Sequence, residues 1–260
     1  MATATPTSKY TTALLPPPGP NTPLTLPTRT IPSPPTNSQI FTDALAVRLE
    51  VFVDEQKCTA EIEIDDDDAR SWHWVLYDEQ ATTQNPIFGV LTGKQKEEKL
   101  RIPVAVVRLV PGPHASHEDF VKAWQAIEGA GDGEKQHAAN ADVDGAKYDL
   151  VHEPYIKFGR VCVLAGYRGC GLARRAMEEA MRWAEENPHQ IDAAYAEVVK
   201  REGGDTGSLQ KWKGLSLIHA QVDVEKMYAK LGFETDKEFG NWTEEGIEHV
   251  GMWKRLAVKS

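Results

Sequence analysis

Residues 155–187, YIKFGRVCVLAGYRGCGLARRAMEEAMRWAEEN, constrain the fold more than any other stretch of the chain. YIKFGRVCVL reads as a strand. After it, Leu172/Ala173, Ala176/Met177, Ala180/Met181 and Trp183/Ala184 recur at helical spacing, and Arg174–Glu178, Arg175–Glu179 and Glu178–Arg182 pair at (i, i+4) on the wet face. Between strand and helix stand Arg168, Gly169 and Gly171. A helix start leaves four backbone N–H groups without intrahelical partners, and the macrodipole adds partial positive charge there. Glycine lets a phosphate approach those groups with no Cβ in the way, and Arg168 adds a cation. YRGCGLA is therefore built like a diphosphate cradle. The plainer alternative is a turn that merely needs glycine. A Rossmann fold starts well, with Asp192 about where a ribose acid would lie. It fails at Arg174, too bulky for the third glycine position, and too little chain follows for a doubly wound sheet. A P-loop is excluded because no Gly-Lys-Ser/Thr follows.

The chain has 260 residues, enough for one large domain or one domain with long insertions, and 41% hydrophobic residues supply a core. A net charge of −10 argues against general affinity for nucleic acid and suits a cationic ligand. The three cysteines, Cys58, Cys162 and Cys170, match neither a zinc pattern nor a disulfide framework, so free thiols in a reducing, cytoplasmic compartment are expected. No apolar run reaches membrane-spanning length, and no secretory h-region opens the chain. The N-terminal segment is rich in Thr and Ser, but it carries only Lys9 and Arg29 before its first acid, Asp43. Its prolines also oppose an amphipathic helix, which disfavours organelle targeting.

Ten of the sixteen prolines precede residue 36, so residues 1–21 read as a mobile tail or extended wrap, and 24–31 as an edge strand. FTDALAVRLEVFVDEQ (41–56) reads as a helix capped by Thr42 or Asp43, and EIEIDDDD (61–68) as a solvated acidic rim. Strands are expected at 71–79, 86–93, 103–111, 214–222 and 249–258. Helices are expected at 116–129, capped by Ser116, and at 223–233, capped by Asp223 and stopped by Gly232. Residues 129–147 and 201–208 read as loops, and 191–200 is ambiguous.

Arg168-Gly169-Cys170-Gly171-Leu172-Ala173 matches the R/Q-x-x-G-x-G/A signature of the GCN5-related N-acetyltransferases, the GNAT superfamily, with alanine last. RVCVLAGYRGCGLARRAMEEAM resembles that family's fourth strand and following helix in full. VRLEVFVDEQ (47–56) resembles the first helix of its ElaA-like small-molecule branch, and IHAQVDVEKMYAKLGFE with EEGIEHVGM resembles that branch's C-terminal half. The resemblance covers most of 22–258 as a single domain, with insertions near 80–100, 112–150 and 188–213. It implies an α/β fold with a mixed, mostly antiparallel twisted sheet splayed at strands 4 and 5, and helices on both faces.

It also implies a site. Acetyl-CoA, the cosubstrate, would pair its pantetheine arm with the backbone of Val161, Cys162 and Val163. Its diphosphate would rest on the amides of Arg168, Gly169, Cys170, Gly171, Leu172 and Ala173. Tyr228 matches the family's tyrosine acid for the leaving thiolate, though its apolar neighbours Met227 and Leu231 also suit a core aromatic. His219 in IHAQV is a candidate base, or a hydrogen-bonded strand histidine. Glu55 is a second candidate base, or a solvent-facing charge. Gln221, on the strand face of His219 by period two, joins His73 and His249 as acceptor-site candidates. Cys170 contributes backbone only, and Cys162 packs in the core. EIEIDDDD lacks the spacing of a calcium loop, and His114, His117, His137 and His152 are too scattered for a metal site, so no metal is expected. The acceptor is a small primary amine, cationic if the acidic run borders its pocket. A homodimer is compatible with the family. Two alternatives stay open: an acyl-CoA sensor without turnover, and a protein N-acetyltransferase.

Overall fold

The computed structural model describes residues 9–82, 99–116, 119, 122 and 153–259. They form two compact units: residues up to 108 with 160–177, and 109–159 with 178 onward. The strand expected at 86–93, the loop at 129–147, the insertions near 80–100 and 112–150 for the most part, and His117, His137 and His152 lie outside the described residues. So does the helix expected at 116–129, apart from Ser116, Asp119 and Lys122, where Asp119 N donates to Ser116 Oγ at 3.1 Å.

In the first unit, β1 (Tyr10–Leu15) pairs antiparallel with β2 (Trp72–Thr82), Tyr10 opposite Asp78 and Leu15 opposite His73. Residues 10–15 thus form a paired strand within the segment expected as a mobile tail or extended wrap. YTTALL contains no proline and carries apolar and β-branched residues, so every amide can pair. The edge strand expected at 24–31 does not form. Its amides are satisfied locally instead: Thr25 N donates to Asn37 Oδ1 (2.9 Å) and Thr28 N to Ile31 O (3.0 Å).

Helix α1 (Gln39–Arg48) is capped by Ser38, whose Oγ accepts from Phe41 N at 3.2 Å, rather than by Thr42 or Asp43. Asp43 accepts from Tyr77 Oη at 2.8 Å and so ties the helix to β2. Its apolar face buries Phe41, Ala44, Leu45 and Val47, and α1 packs on β1 and β2. The helical pattern of 41–56 continues past Arg48 as a π-helical turn over Leu49–Glu55, with Gln56 N donating to Val51 O at 3.1 Å. The wider turn shifts the side chains beyond it out of α register. β3 (Lys99–Val110) and the end of β4 (Ile156–Val163) complete this unit, in the order β1-β2-β3-β4. The unit closes on the first turns of α2 (Leu172–Glu186).

In the second unit, the start of β4 runs parallel to β5 (Leu215–Gln221), Ile156 opposite Ser216 and Phe158 opposite Ile218. β5 is antiparallel to β8 (Ile247–Arg255), which also pairs antiparallel with β6 (Glu234–Thr235) and β7 (Asn241–Glu244). The strands are thus mixed and mostly antiparallel, as expected. β6 and β7, unanticipated, are too short to show a period-two pattern. The ambiguous 191–200 belongs to α3 (Pro188–Arg201), whose proline sits in the first turn, where it costs no hydrogen bond. α4 (Glu225–Lys230) starts after Val224 rather than at an Asp223 cap. Gly232 (φ 86°) stops it as expected, with Phe233 N donating to Tyr228 O at 3.1 Å. Leu215, Leu217 and Trp253 form a core with Tyr155 and Phe239. A Cβ at Gly251 would meet the Phe239 ring at 2.3 Å, so any larger residue there would have to displace that ring.

Candidate active site

The cradle forms in the first unit. Near the end of β4, Arg160 takes a left-handed φ of 51°, unusual for a side chain with a Cβ and a mark of local strain. Its guanidinium is anchored on Asp65 (Nη2–Oδ2 3.2 Å) and Glu63 (Nε–Oε1 3.3 Å), which offsets that cost. The chain passes through a 3₁₀ turn at Ala165–Tyr167 and then turns at Gly169 (φ 76°) and Gly171 (φ 75°). A Cβ built on either glycine meets nothing within 4 Å. The first helical bond is Arg175 N to Gly171 O (3.0 Å), so the amides of Leu172 and Ala173 have no carbonyl one turn back. A bare helix start beside open space is what a diphosphate requires, and the residues present fit one.

Arg168 closes one side of this turn. Its Nε donates to Val163 O (3.1 Å), and its two terminal nitrogens grip Glu55 at 2.5 and 2.6 Å. The Arg168 hydrogen bond and charge hold the Glu55 carboxyl below its ordinary range, and Glu55 raises Arg168 in return. A carboxylate so stabilised is a poor proton acceptor, so the geometry speaks against Glu55 as base. Cys170 is exposed, whereas Cys162 is buried, and burial pushes its thiol up to about 12.

Within the acidic run 61–68, expected as a solvated rim, Glu63 and Asp68 are buried and join Asp65 in an ion network, while Glu61 and Asp66 stay exposed. Arg48, wholly buried, donates to Glu63 Oε1 (2.6 Å) and to both Asp68 oxygens (2.8 and 3.2 Å). Arg108 bridges Asp65 (2.7 and 2.9 Å) and Asp68 (2.9 Å). Three guanidiniums from α1, β3 and β4 thus meet three carboxylates of one short loop. Desolvation opposes the charged form of Asp68, but Arg48 and Arg108 outweigh it and hold the carboxyl far below its usual range. His73, an acceptor-site candidate that reads more readily as a structural histidine, lies in the core. It is fully buried against this network, with Nε2 3.2 Å from Asp68 O, and burial lowers it to about 4.

The second unit brings the remaining acceptor candidates together. Residues that face one another across antiparallel strands share a sheet face. His219 is opposite Gly251, Gln221 opposite His249, and His249 opposite Trp242, so all lie on one face with Glu244. His219 Nδ1 is 3.6 Å from Glu244 Oε1, and its ring meets Trp242 edge-on at 4.9 Å. His249 stacks on Trp242 at 6.2 Å, with Nδ1 2.8 Å from Ile247 O. Glu244 and Trp242 were not anticipated: nothing in NWTEEGIEHV singles them out, and only strand pairing places them on the face of His219. Tyr228 lies buried on α4, edge-on to Phe233 at 6.2 Å. Among the described residues no group of three or more His, Cys, Asp and Glu is placed to hold a metal ion, and no helix is long and apolar enough to cross a membrane.

The model of the acetyltransferase (GNAT) family matches residues 48–202. Among solved structures, a Lactobacillus plantarum protein described as an N-acetyltransferase shares 19% identity over 96% of this chain and 99% of its own, with a TM-score of 0.47. An acyl-CoA N-acyltransferase from Pseudomonas aeruginosa shares 20% over 82% and 89%, with a TM-score of 0.42. Escherichia coli ElaA shares 18% over 84% and 92%, also at 0.42. No curated protein matches the chain.

Proposed function

We propose the following reaction for this chain, which belongs to the acetyltransferase (GNAT) family: direct transfer of the acetyl group of acetyl-CoA to the primary amine of a small molecule, within a ternary complex. The observation that carries the reading is the left-handed glycine pair at the strand-to-helix turn, with open space where Cβ atoms would stand. The diphosphate is assigned to the amides of residues 168–173, and the pantetheine arm to the backbone of Val161, Cys162 and Val163. The amine, once neutral, attacks the thioester carbon. Backbone N–H groups of 161–163 stabilise the developing oxyanion, and the C–S bond breaks as the tetrahedral adduct collapses. His219 is assigned as the base that removes the ammonium proton, and Tyr228 as the acid that protonates the departing thiolate and takes its proton back from the adduct nitrogen as the amide forms. The His219–Glu244 pair, flanked by Trp242 and His249, supports a cationic acceptor through its carboxylate and aromatic rings. The three free cysteines support a reducing, cytoplasmic setting.

The test is calorimetry with acetyl-CoA, followed by a panel of simple amines, aminosugars, polyamines and peptides read by release of CoA thiol. Binding with turnover of small amines is expected. Turnover of peptides alone would make the chain a protein acetyltransferase, and binding without turnover a sensor. Absence of binding would overturn the proposal.

A further inference from the structure

We propose that Glu244 is the positioning residue for His219, orienting its imidazole so that Nδ1 carries the proton and Nε2 presents its lone pair to the acceptor amine. The inference deepens, and rests on, the acetyl-transfer reading above. Its geometric basis is a three-part unit. Glu245 (φ 48°) and Gly246 (φ 76°) make the two-residue turn between β7 and β8, and both left-handed angles match the turn type that tight hairpins favour. That turn sets Glu244 opposite Ile247, on the face that carries His219. Glu244 Oε1 receives the Trp242 indole N–H at 2.5 Å and faces His219 Nδ1 at 3.6 Å. One indole therefore holds the carboxylate by its N–H and packs edge-on against the imidazole.

The charges agree with the geometry. Burial raises the Glu244 carboxyl, but the charges of His219 and His249 and the Trp242 N–H outweigh it, so it stays ionised. Among the described residues, the titratable groups that act on the Glu244 carboxyl are His219 on β5 and His249 on β8. A carboxylate facing Nδ1 favours the tautomer with its proton there, leaving Nε2 as the acceptor, and steadies the imidazolium once Nε2 has taken the ammonium proton. The separation of 3.6 Å is slightly longer than a hydrogen bond, as catalytic contacts often are before substrate binds.

The test is long-range ¹H–¹⁵N correlation spectroscopy of the histidine rings across pH, with His219 assigned by its loss in His219→Gln. The neutral His219 ring is expected as the Nδ1–H tautomer. Its titration midpoint is expected to fall by about one pH unit in Glu244→Gln and less in Glu244→Asp, while acetyl-CoA affinity stays unchanged. With an accepted amine, the acid limb of kcat/KM should move down by the same amount. An Nε2–H tautomer in the wild-type protein overturns the proposal. So does a midpoint in Glu244→Gln within about 0.2 of wild type. If Glu244→Gln fails to fold, the wild-type tautomer still decides. The acetyl-transfer reading fails separately, by absence of heat on adding acetyl-CoA, and the ring spectra do not depend on it.

Discussion

Replacing Asp68 by asparagine tests whether the acidic run is a structural keystone or a wet surface. In the folded chain Asp68 is wholly buried and serves two guanidiniums, Arg48 (2.8 and 3.2 Å) and Arg108 (2.9 Å), and Arg48 is as buried as its partner. Asparagine keeps the shape but removes the charge and turns an N–H₂ toward cations. Glu63 and Asp65 are then left to neutralise three arginines. Removing one partner of a buried pair costs about 3–5 kcal/mol, because the charge left behind has no water to solvate it. For a chain of this size that corresponds to a fall in Tm of roughly 6–20 °C. The internal control is Asp66, two residues away and exposed, where the same substitution should move stability by no more than about 0.5 kcal/mol. Urea denaturation at pH 7, followed by tryptophan fluorescence and paired with thermal melts, measures both. An Asp68→Asn loss below about 1 kcal/mol, or an Asp66→Asn loss as large as that of Asp68→Asn, refutes the network as a source of stability.

Stability should also fall on mild acidification because of His73. Its folded value, about 4, lies below the ordinary 6.5, so its contribution is complete above 6.5 and lost as pH falls toward 4. Between pH 7 and pH 5 that loss is about 2 kcal/mol, and His73→Gln should flatten the Tm–pH curve over this window. The depressed carboxyls of Asp65 and Asp68 add their own loss only as pH falls below 3.8. Gly171→Ala should cost about 1–2 kcal/mol at φ 75° and, with its Cβ facing the diphosphate, weaken acetyl-CoA at least about tenfold by calorimetry. Glu55→Gln should leave kcat within about threefold, whereas a loss of 10² or more would restore Glu55 as the base. Tyr228→Phe should lower kcat about tenfold with acetyl-CoA affinity unchanged, and an unchanged kcat would return Tyr228 to the core.

Local rules determined much of this protein from sequence alone. The strand, glycine turn and helix at 155–187 are encoded within a few residues: helical spacing from Leu172 to Ala184, and two glycines where φ must be positive. The same holds for the stop at Gly232. What tertiary structure decided is which charges meet. EIEIDDDD reads as a solvent-facing run because its partners, Arg48, Arg108 and Arg160, come from three other elements, and nothing in the run announces them. His73 was drawn into the core by that same network. Glu55 went to Arg168 through a π-helical turn whose extra residue no apolar pattern reveals. Glu244 found His219 because β5 and β7 both pair with β8. Backbone conformation follows from neighbours in sequence, but a buried ion pair follows from strand order and register, which bring together residues that carry no local sign of one another.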